Sequence, residues 1–398
     1  MTPSNHSYPR LEWGMLFAAL GLLLLGAAFI YSATSGRLVG SPGEWYEERF
    51  VRQLFAALLG VGLAGAVCLV DYQIIARWAM IFYWLAVGML LLVFVFEPVA
   101  GVHRWIPLGF FNFQPSELAK IAVICVLGNY LSRPVDELRF PIVFVKALGM
   151  ILLPFSLVLI EPDLGSAIVL LPIGFAMMFV AGIPGHLLLR VIACGSLVVG
   201  LALADVLFAP KKFQLIELEE YQKNRLRVYF GLSFAPPNAT PQEKKEAARE
   251  QRKFSYNIDQ ALISVGSGGL AGKGWCQGTQ NALGYLPRGV AHNDFIFSVI
   301  AEEKGFLGSM TVLGLYGLLI FSGLRVASAA RDRLGKTLAI GVVTLWFSHV
   351  FINIGMNIGL VPVTGLPLPL LSDGGSSVIC FLLSVGLLEN IYLYRRSY

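Results

Sequence analysis

The chain has 398 residues, of which 56% are hydrophobic and only 14% charged, and its mean hydropathy is +0.69. A soluble domain carries about 25% charged residues, so this composition excludes an ordinary soluble globular protein and points to helices in a bilayer. The net charge of +5 is too small to signal a nucleic-acid partner and fits the basic residues that orient membrane helices.

Apolar runs of about 20 residues, the length that crosses a bilayer as helix, recur from end to end. About ten spans are predicted, at 12–34, 51–71, 76–97, 116–132, 140–160, 164–183, 186–208, 296–324, 337–360 and 376–394. The first is longer than a signal-peptide core and reads as a retained helix. The fold class is therefore an all-α polytopic membrane protein, one domain over 1–398, with a large loop at 209–293 between the seventh and eighth spans. Arg10, Arg77, Arg133, Arg139, Arg325, Arg331, Arg333, Lys336, Arg395 and Arg396 mark one side. The short loops of the other carry Arg37, Arg49, His103 and Arg104 among Glu44, Glu47, Glu48, Glu97, Glu161 and Asp163. The more basic side is expected to be cytoplasmic. Both termini are then cytoplasmic and the long loop extracellular. Cys68, Cys125, Cys194, Cys276 and Cys380 have neither metal nor redox spacing, and their odd number argues against a disulfide framework.

Polar side chains gather on the side expected to be outside. In "GVHRWIPLGFFNFQPSELAK" (101–120), Pro115 near the first turn and Glu117 at the positive end of the dipole mark a helix start. Capping accounts for Ser116 and Glu117 but not for Lys120, which can share a face with Glu117 as an internal tie or as part of a polar cavity. Trp105 beside Arg104 reads on its own as an interfacial anchor. In "IEPDLGSA" (160–167), Asp163 can cap the sixth span, and repulsion with the nearby Glu161 raises one of the two pKa values.

Within the long loop, 240–253 has almost no apolar face and reads as a solvated helix or flexible insert. "VGSGGLAGKG" (265–274) has five glycines in ten residues, in neither a P-loop nor a dinucleotide spacing. It reads equally as plain loop or as backbone that approaches a ligand. "AHNDFIFSVIAEEKGFLG" (291–308) sets Asp294 at the entrance of a span, where a charge is costly unless used. Glu302 and Glu303 read as structural rather than chemical. His349 and Asn353, one turn apart, suit helix–helix hydrogen bonds. "VPVTGLPLPLLSDGGSS" (361–377) holds irregular backbone, tolerated at membrane depth only against protein or a water-filled cavity. The sum is a polar cavity opening outward between helices. A transporter or flippase pathway fits it, and so does an enzyme acting on a lipid-linked substrate.

Taken in order, "RWIPLGFFNFQPSELAK", "EPDLGSA", "YQKNRL", "QALISVGSGGLAGKGWCQGTQ", "NDFIFSVIAEEKGFLG" and "FINIGMNIGLVPVTGLPLPLLSDGGSS" resemble the SEDS family (shape, elongation, division and sporulation). The wording "PVTGLPLP" is more like the elongation members, RodA, than the division members, FtsW. The resemblance implies a ten-span peptidoglycan glycosyltransferase in the bacterial cytoplasmic (inner) membrane, active on the periplasmic or extracellular side. It implies polymerisation of lipid II, an undecaprenyl-diphosphate-linked disaccharide–pentapeptide. The implied partners are a class B penicillin-binding protein (transpeptidase), the elongation machinery and membrane lipid, with no nucleic acid. A lipid II flippase or a non-catalytic scaffold for the crosslinking enzyme is the alternative.

By the same resemblance Asp294 matches the essential Asp of the family's "DFIF", Trp105 the Trp of "RW", Glu117 and Lys120 the polar pair of "QPSELAK", and Asp163 the Asp of "PDLG". Arg225 matches the Arg of the "YQ" element, and Ser376 and Ser377 the end of "GGSS". The chain departs from the family pattern with Glu161 for Gln, Arg288 after Pro287, Asn293 for Thr, Asp373 for Tyr, His349 for Gln, and an apparent insertion at 240–253.

The implied reaction needs a sugar 4-hydroxyl made nucleophilic, an anomeric carbon and a diphosphate leaving group. A carboxylate in reach of the hydroxyl contributes about 10²–10⁴-fold as general base, and Asp294 is the candidate. An α-linked donor giving a β-linked product implies one inverting displacement. Positive charge for the diphosphate is expected from Arg225 first, then Lys273, Arg288, Arg104 and Lys120, with glycine-rich N–H groups at 265–274 assisting. A divalent cation, Mg or Mn, would serve the same end, although no ligand cluster has diagnostic spacing.

Overall fold

The structure, a computed structural model, describes residues 11–35, 49–98, 102–107, 112–208, 220–235, 240–286 and 291–396. Side chains at 35, 220–222, 225, 243, 253, 254, 281 and 396 lie outside the description. Arg10, Arg37, Glu44, Glu47, Glu48 and Arg288, weighed above from sequence, also lie outside the described residues, as does the side chain of Arg225.

The chain runs α1 (Trp13–Ser35), α2 (Arg49–Cys68), α3 (Tyr72–Arg77), α4 (Ala79–Leu92), β1 (Ile106–Pro107), β2 (Asn112–Phe113), α5 (Pro115–Leu131), α6 (Val135–Leu138), α7 (Pro141–Ile160) and α8 (Leu164–Ala181). It continues α9 (Gly185–Phe208), α10 (Glu220–Tyr229), α11 (Pro241–Ser267), α12 (Thr279–Ala282), α13 (Ile296–Ala329), α14 (Arg333–Asn357) and α15 (Gly375–Leu393). Among the described residues, α1, α2, α7, α8, α9, α13, α14 and α15 are long and apolar enough to cross a membrane. The shorter α4 and α5 occupy the remaining two predicted spans.

Three of the boundaries that differ from the sequence reading have a local reason. The third span starts late, because Asp71 caps the separate short α3 by accepting from the Gln73 N–H at 2.9 Å. The ninth starts early, because Asp332 accepts from the Gly335 N–H at 2.8 Å and so fixes the first turn. The eighth runs on to Ala329 but is broken at Gly305, whose φ is 64° and ψ −157°.

That break explains the glycine-rich segment. Main-chain N–H groups of Lys273 and Gly274 donate to the carbonyls of Glu302 and Glu303 at 3.0 Å each, and those of Phe306 and Leu307 donate to Gly269 and Leu270 at 2.8 and 3.1 Å. The loop thus takes up hydrogen bonds that an interrupted helix leaves open. A Cβ at Gly268 would lie 1.9 Å from the Ala301 carbonyl oxygen and one at Gly272 2.2 Å from that of Glu303. Only glycine lets the two backbones meet so closely. Gly268 and Gly272 are therefore required by the contact with α13. The polar half of α11, 240–253, is mostly exposed, in keeping with a solvated helix.

α14 and α15 are the most buried spans and α9 the least. α2 crosses α15 where a Cβ on Gly386 would lie 2.7 Å from the Ala64 backbone, a close approach of small residues that suits packing in lipid. Trp346 of α14 fills the core and donates to the Ser384 hydroxyl at 2.8 Å. The chain order brings the starts of α2, α5, α8, α13 and α15 to one end of the bundle, together with the ends of α1, α7 and α14. The functional candidates collect there.

Candidate active site

A cavity of about 520 Å³ lies at that end. The first turns of four helices wall it: Arg49 and Arg52 of α2, Gln114 before α5, Asp163 and Ser166 of α8, and Gly374, Gly375, Ser376 and Ser377 of α15. Arg104 and Trp105 enter from the approach to β1, His292 and Asn293 from the approach to α13, and Gly365–Pro367 from the loop after α14. Helix starts present N–H groups and positive dipole ends. With three arginines added, the cavity is suited to an anion.

Each wall is fixed by hydrogen bonds. The antiparallel β1–β2 pair, Ile106 against Phe113, delivers Gln114 to the start of α5. The Ser376 hydroxyl donates to the Asn112 carbonyl at 2.9 Å and accepts from the Gln114 N–H at 3.0 Å. Asp163 caps α8 through the Ser166 N–H at 3.2 Å and accepts from the Gln114 amide at 2.8 Å and the Ser116 hydroxyl at 3.1 Å. Arg104 donates from Nε to the Glu161 carbonyl at 3.2 Å and from its terminal NH₂ to the Pro162 carbonyl.

Asp294, half-buried, is not itself among the residues that line this cavity but lies beside its wall. A Cβ on Gly365, a cavity-wall residue, would lie 3.7 Å from its Oδ2. The Asp294 carbonyl accepts from the side chains of Asn353 at 3.2 Å and Asn357 at 3.0 Å. Asn353 also donates to the Leu366 carbonyl at 2.7 Å, and Ser372 donates to the Asn293 carbonyl at 2.6 Å. The expectation that Asn353 ties helix to helix is thus refined: it ties α14 to the two loops that carry Asp294 and Gly365.

Glu117 and Lys120 meet as the sequence expects, at 2.7 Å, but inside the bundle rather than on the cavity wall. Lys120 also donates to His349 Nε2 at 2.8 Å, and His349 Nδ1 lies 3.3 Å from the Pro367 carbonyl. An ammonium only donates, so Nε2 accepts and Nδ1 carries the proton given to Pro367. The pair therefore acts below the site, holding up the loop that closes it.

Lys273, a sequence candidate for substrate contact, is not brought to the cavity wall. Its ammonium is 2.7 Å from Glu302 Oε1 and donates to Thr279 at 2.7 Å. Glu303 accepts from Ser32 at 2.5 Å and from the Cys276 N–H at 3.1 Å. The two glutamates thus staple the glycine-rich segment and α1 to α13.

Arg49 and Arg52 were missed as site residues. Arg49 donates to Asp373 Oδ2 at 3.1 Å and to His292 Nε2 at 2.6 Å. Burial pushes the Asp373 carboxyl up, while Arg49 pulls it back down. The available signal was two arginines three residues apart, in the first turn of a span that starts at the same end as Arg104. No group of three or more His, Cys, Asp or Glu side chains that could hold a metal comes together among the described residues.

Fold and cavity together define a polytopic helical membrane protein with an anion-suited site at one end. The FTSW_RODA_SPOVE family model, described as "Cell cycle protein", matches residues 13–397, and the chain belongs to this family, the SEDS proteins. It is 34% identical to the peptidoglycan glycosyltransferase MrdB of Escherichia coli (strain K12), over 97% of this chain and 95% of that one. It is 32% identical to the peptidoglycan glycosyltransferase RodA of Treponema pallidum (strain Nichols), over 96% and 97%. A solved structure described as the structural coordination of polymerization and crosslinking by a peptidoglycan synthase complex superimposes with a TM-score of 0.75 at 27% identity, covering 98% of this chain and all of that one.

Proposed function

We propose that this chain is a peptidoglycan glycosyltransferase that polymerises lipid II by a single inverting displacement. The observation that carries the reading is the cavity itself: four helix starts and Arg49, Arg52 and Arg104 face one space, and the Asp294 carboxylate lies behind the wall residue Gly365. A lipid-linked diphosphate sugar needs that pairing of an anion cradle with a base.

The diphosphate sits against the arginines and helix N–H groups, which stabilise its charge as it leaves. Asp294 accepts the proton of the incoming sugar 4-hydroxyl. The hydroxyl oxygen bonds to the anomeric carbon from the face opposite the diphosphate, and the carbon–oxygen bond to the diphosphate breaks with its electron pair going to the leaving group. The proton passes from Asp294 to water. Asn353 and Asn357 hold the Asp294 backbone in place for this step. Trp105, Ser376 and Ser377 shape the same cavity. No step is routed through a metal.

The excess of Lys and Arg at the opposite end supports a cytoplasmic location for that end and a periplasmic or extracellular location for the cavity. The solved complex that couples polymerization with crosslinking supports a penicillin-binding protein of class B as partner, and the "PVTGLPLP" wording supports a role in elongation. Lipid II incubated with the purified protein, with and without that partner, tests the reading. The expected result is glycan from wild type and about 10²–10⁴-fold less from Asp294→Asn, matching a lost general base. Full activity in that variant sinks the base role. Lipid II crossing vesicles without glycan product sinks the reading as a whole.

A further inference from the structure

Glu161 ends α7, in the tight turn before α8. It is fully buried, and neither carboxylate oxygen has a hydrogen-bond partner among the described residues. A carboxylate in such a place loses its hydration with nothing in return, so the neutral acid is favoured. Burial first, and the Asp163 charge second, push the Glu161 carboxyl up to about 8, against the opposing pull of Arg104.

The charged groups acting on Glu161 are thus Asp163 at the start of α8 and Arg104 before β1. Asp163 is engaged by the Ser166 N–H, Gln114 and Ser116. Arg104 grips the turn through the main-chain carbonyls of Glu161 and Pro162, not through the Glu161 carboxyl. Arg104 and Asp163 both line the cavity. One guanidinium therefore stands between the anion cavity and a buried acid that leaves its charge alone while protonated.

We propose that Glu161 is a positioning residue that sets how much of the Arg104 charge is offered to an anionic group in the cavity. Protonated, Glu161 leaves that charge to the ligand. Ionised, with its proton released to cavity water, it competes for it. Naming that ligand group as the diphosphate of a lipid-linked sugar rests on the function proposed above; the coupling of Glu161 to anion binding does not.

The test uses the full-length protein in detergent and two readouts. The first is equilibrium binding of undecaprenyl diphosphate, which requires no catalysis. From one pH unit below about 8 to one unit above, the wild-type Kd is expected to rise about fivefold, the low end of coupling between sites. Glu161→Gln, the same shape without a titrating proton, is expected to stay flat. In polymerisation the same contrast is expected in KM with kcat unchanged. The second readout is the infrared band of a protonated carboxyl, which should bleach in wild type through the same pH range and be missing from Glu161→Gln. Equal pH dependence of binding in the two proteins overturns the proposal, as does a wild-type carboxyl band that does not bleach there. Should Glu161→Gln fail to fold, Glu161→Asp shifts the band and replaces it. A wild type that makes no glycan at any pH, yet shows the binding contrast, refutes the glycosyltransferase reading and leaves the Glu161 proposal standing.

Discussion

Asn357 reaches across from the end of α14 and donates to the Asp294 main-chain carbonyl at 3.0 Å. Asn357 also accepts, through Oδ1, from the Ser298 hydroxyl at 2.6 Å. One side chain therefore fixes both the residue beside the cavity wall and the first turn of α13. Asn357→Ala should lower kcat by about 10²-fold, the scale of an ångström misplacement of a reacting group, and leave KM near wild type. A steady-state comparison on lipid II checks this. An unchanged kcat would mean that the backbone at Asp294 is held by Asn353 alone.

Lys120 stands between Glu117 and His349, and all three are buried. Lys120→Met leaves the Glu117 carboxylate without its counter-charge, and breaking a buried pair on one side costs about 3–5 kcal/mol. Thermal unfolding in detergent should show a large drop in Tm. His349→Gln should be mild, because an amide can accept from Lys120 and donate to Pro367 as the imidazole does. The two variants together separate a charge requirement from a shape requirement.

How far the sequence reaches depends on the kind of force at work. The ten spans were legible because lipid imposes length and apolar density on each segment separately, and the kink in α13 was not. Gly305 lies against Gly269 and Gly272, a contact between segments more than thirty residues apart in the sequence numbering. Arg104, Trp105, Asp163, Ser376 and Ser377 all line the cavity; charge at a membrane entrance singled out Arg104 and Asp163, whereas the family motifs singled out Trp105 and the two serines. Arg49 counts from sequence only as a loop charge and Arg52 carries no signal of its own, because their place in the cavity depends on how α2 packs against α15. Lys273 is the opposite case: a lysine among glycines resembles a phosphate contact, and its ammonium is paired with Glu302 of α13.

Gly272 has a φ of +80°, and a Cβ there would lie 2.2 Å from the Glu303 carbonyl oxygen. Gly269 has a φ of +59° but open space around its missing Cβ. Gly269→Ala should therefore cost only the left-handed backbone penalty, about 1–2 kcal/mol. Gly272→Ala should cost distinctly more, because backbone must move as well. Ranking the two by Tm checks whether close approach, rather than turn conformation, makes the glycine-rich segment what it is. Equal losses would argue for conformation alone.

Glu161 also makes a prediction about stability, and its sign follows from proton binding. The group is held near 8 in the folded protein against an ordinary value of 4.5. Below about 4.5 both states carry the proton and the group is neutral to folding. As pH rises from there, the unfolded chain releases the proton while the folded one retains it, so the unfolded state gains. The loss grows until the folded protein also ionises near 8 and then levels off. Glu161→Gln removes this term. Its Tm relative to wild type should therefore climb steadily across that interval and stay constant at higher pH. A pH series of thermal unfolding curves in one detergent decides it: a Tm difference that does not vary with pH would mean that Glu161 binds its proton equally well in the folded and unfolded chain.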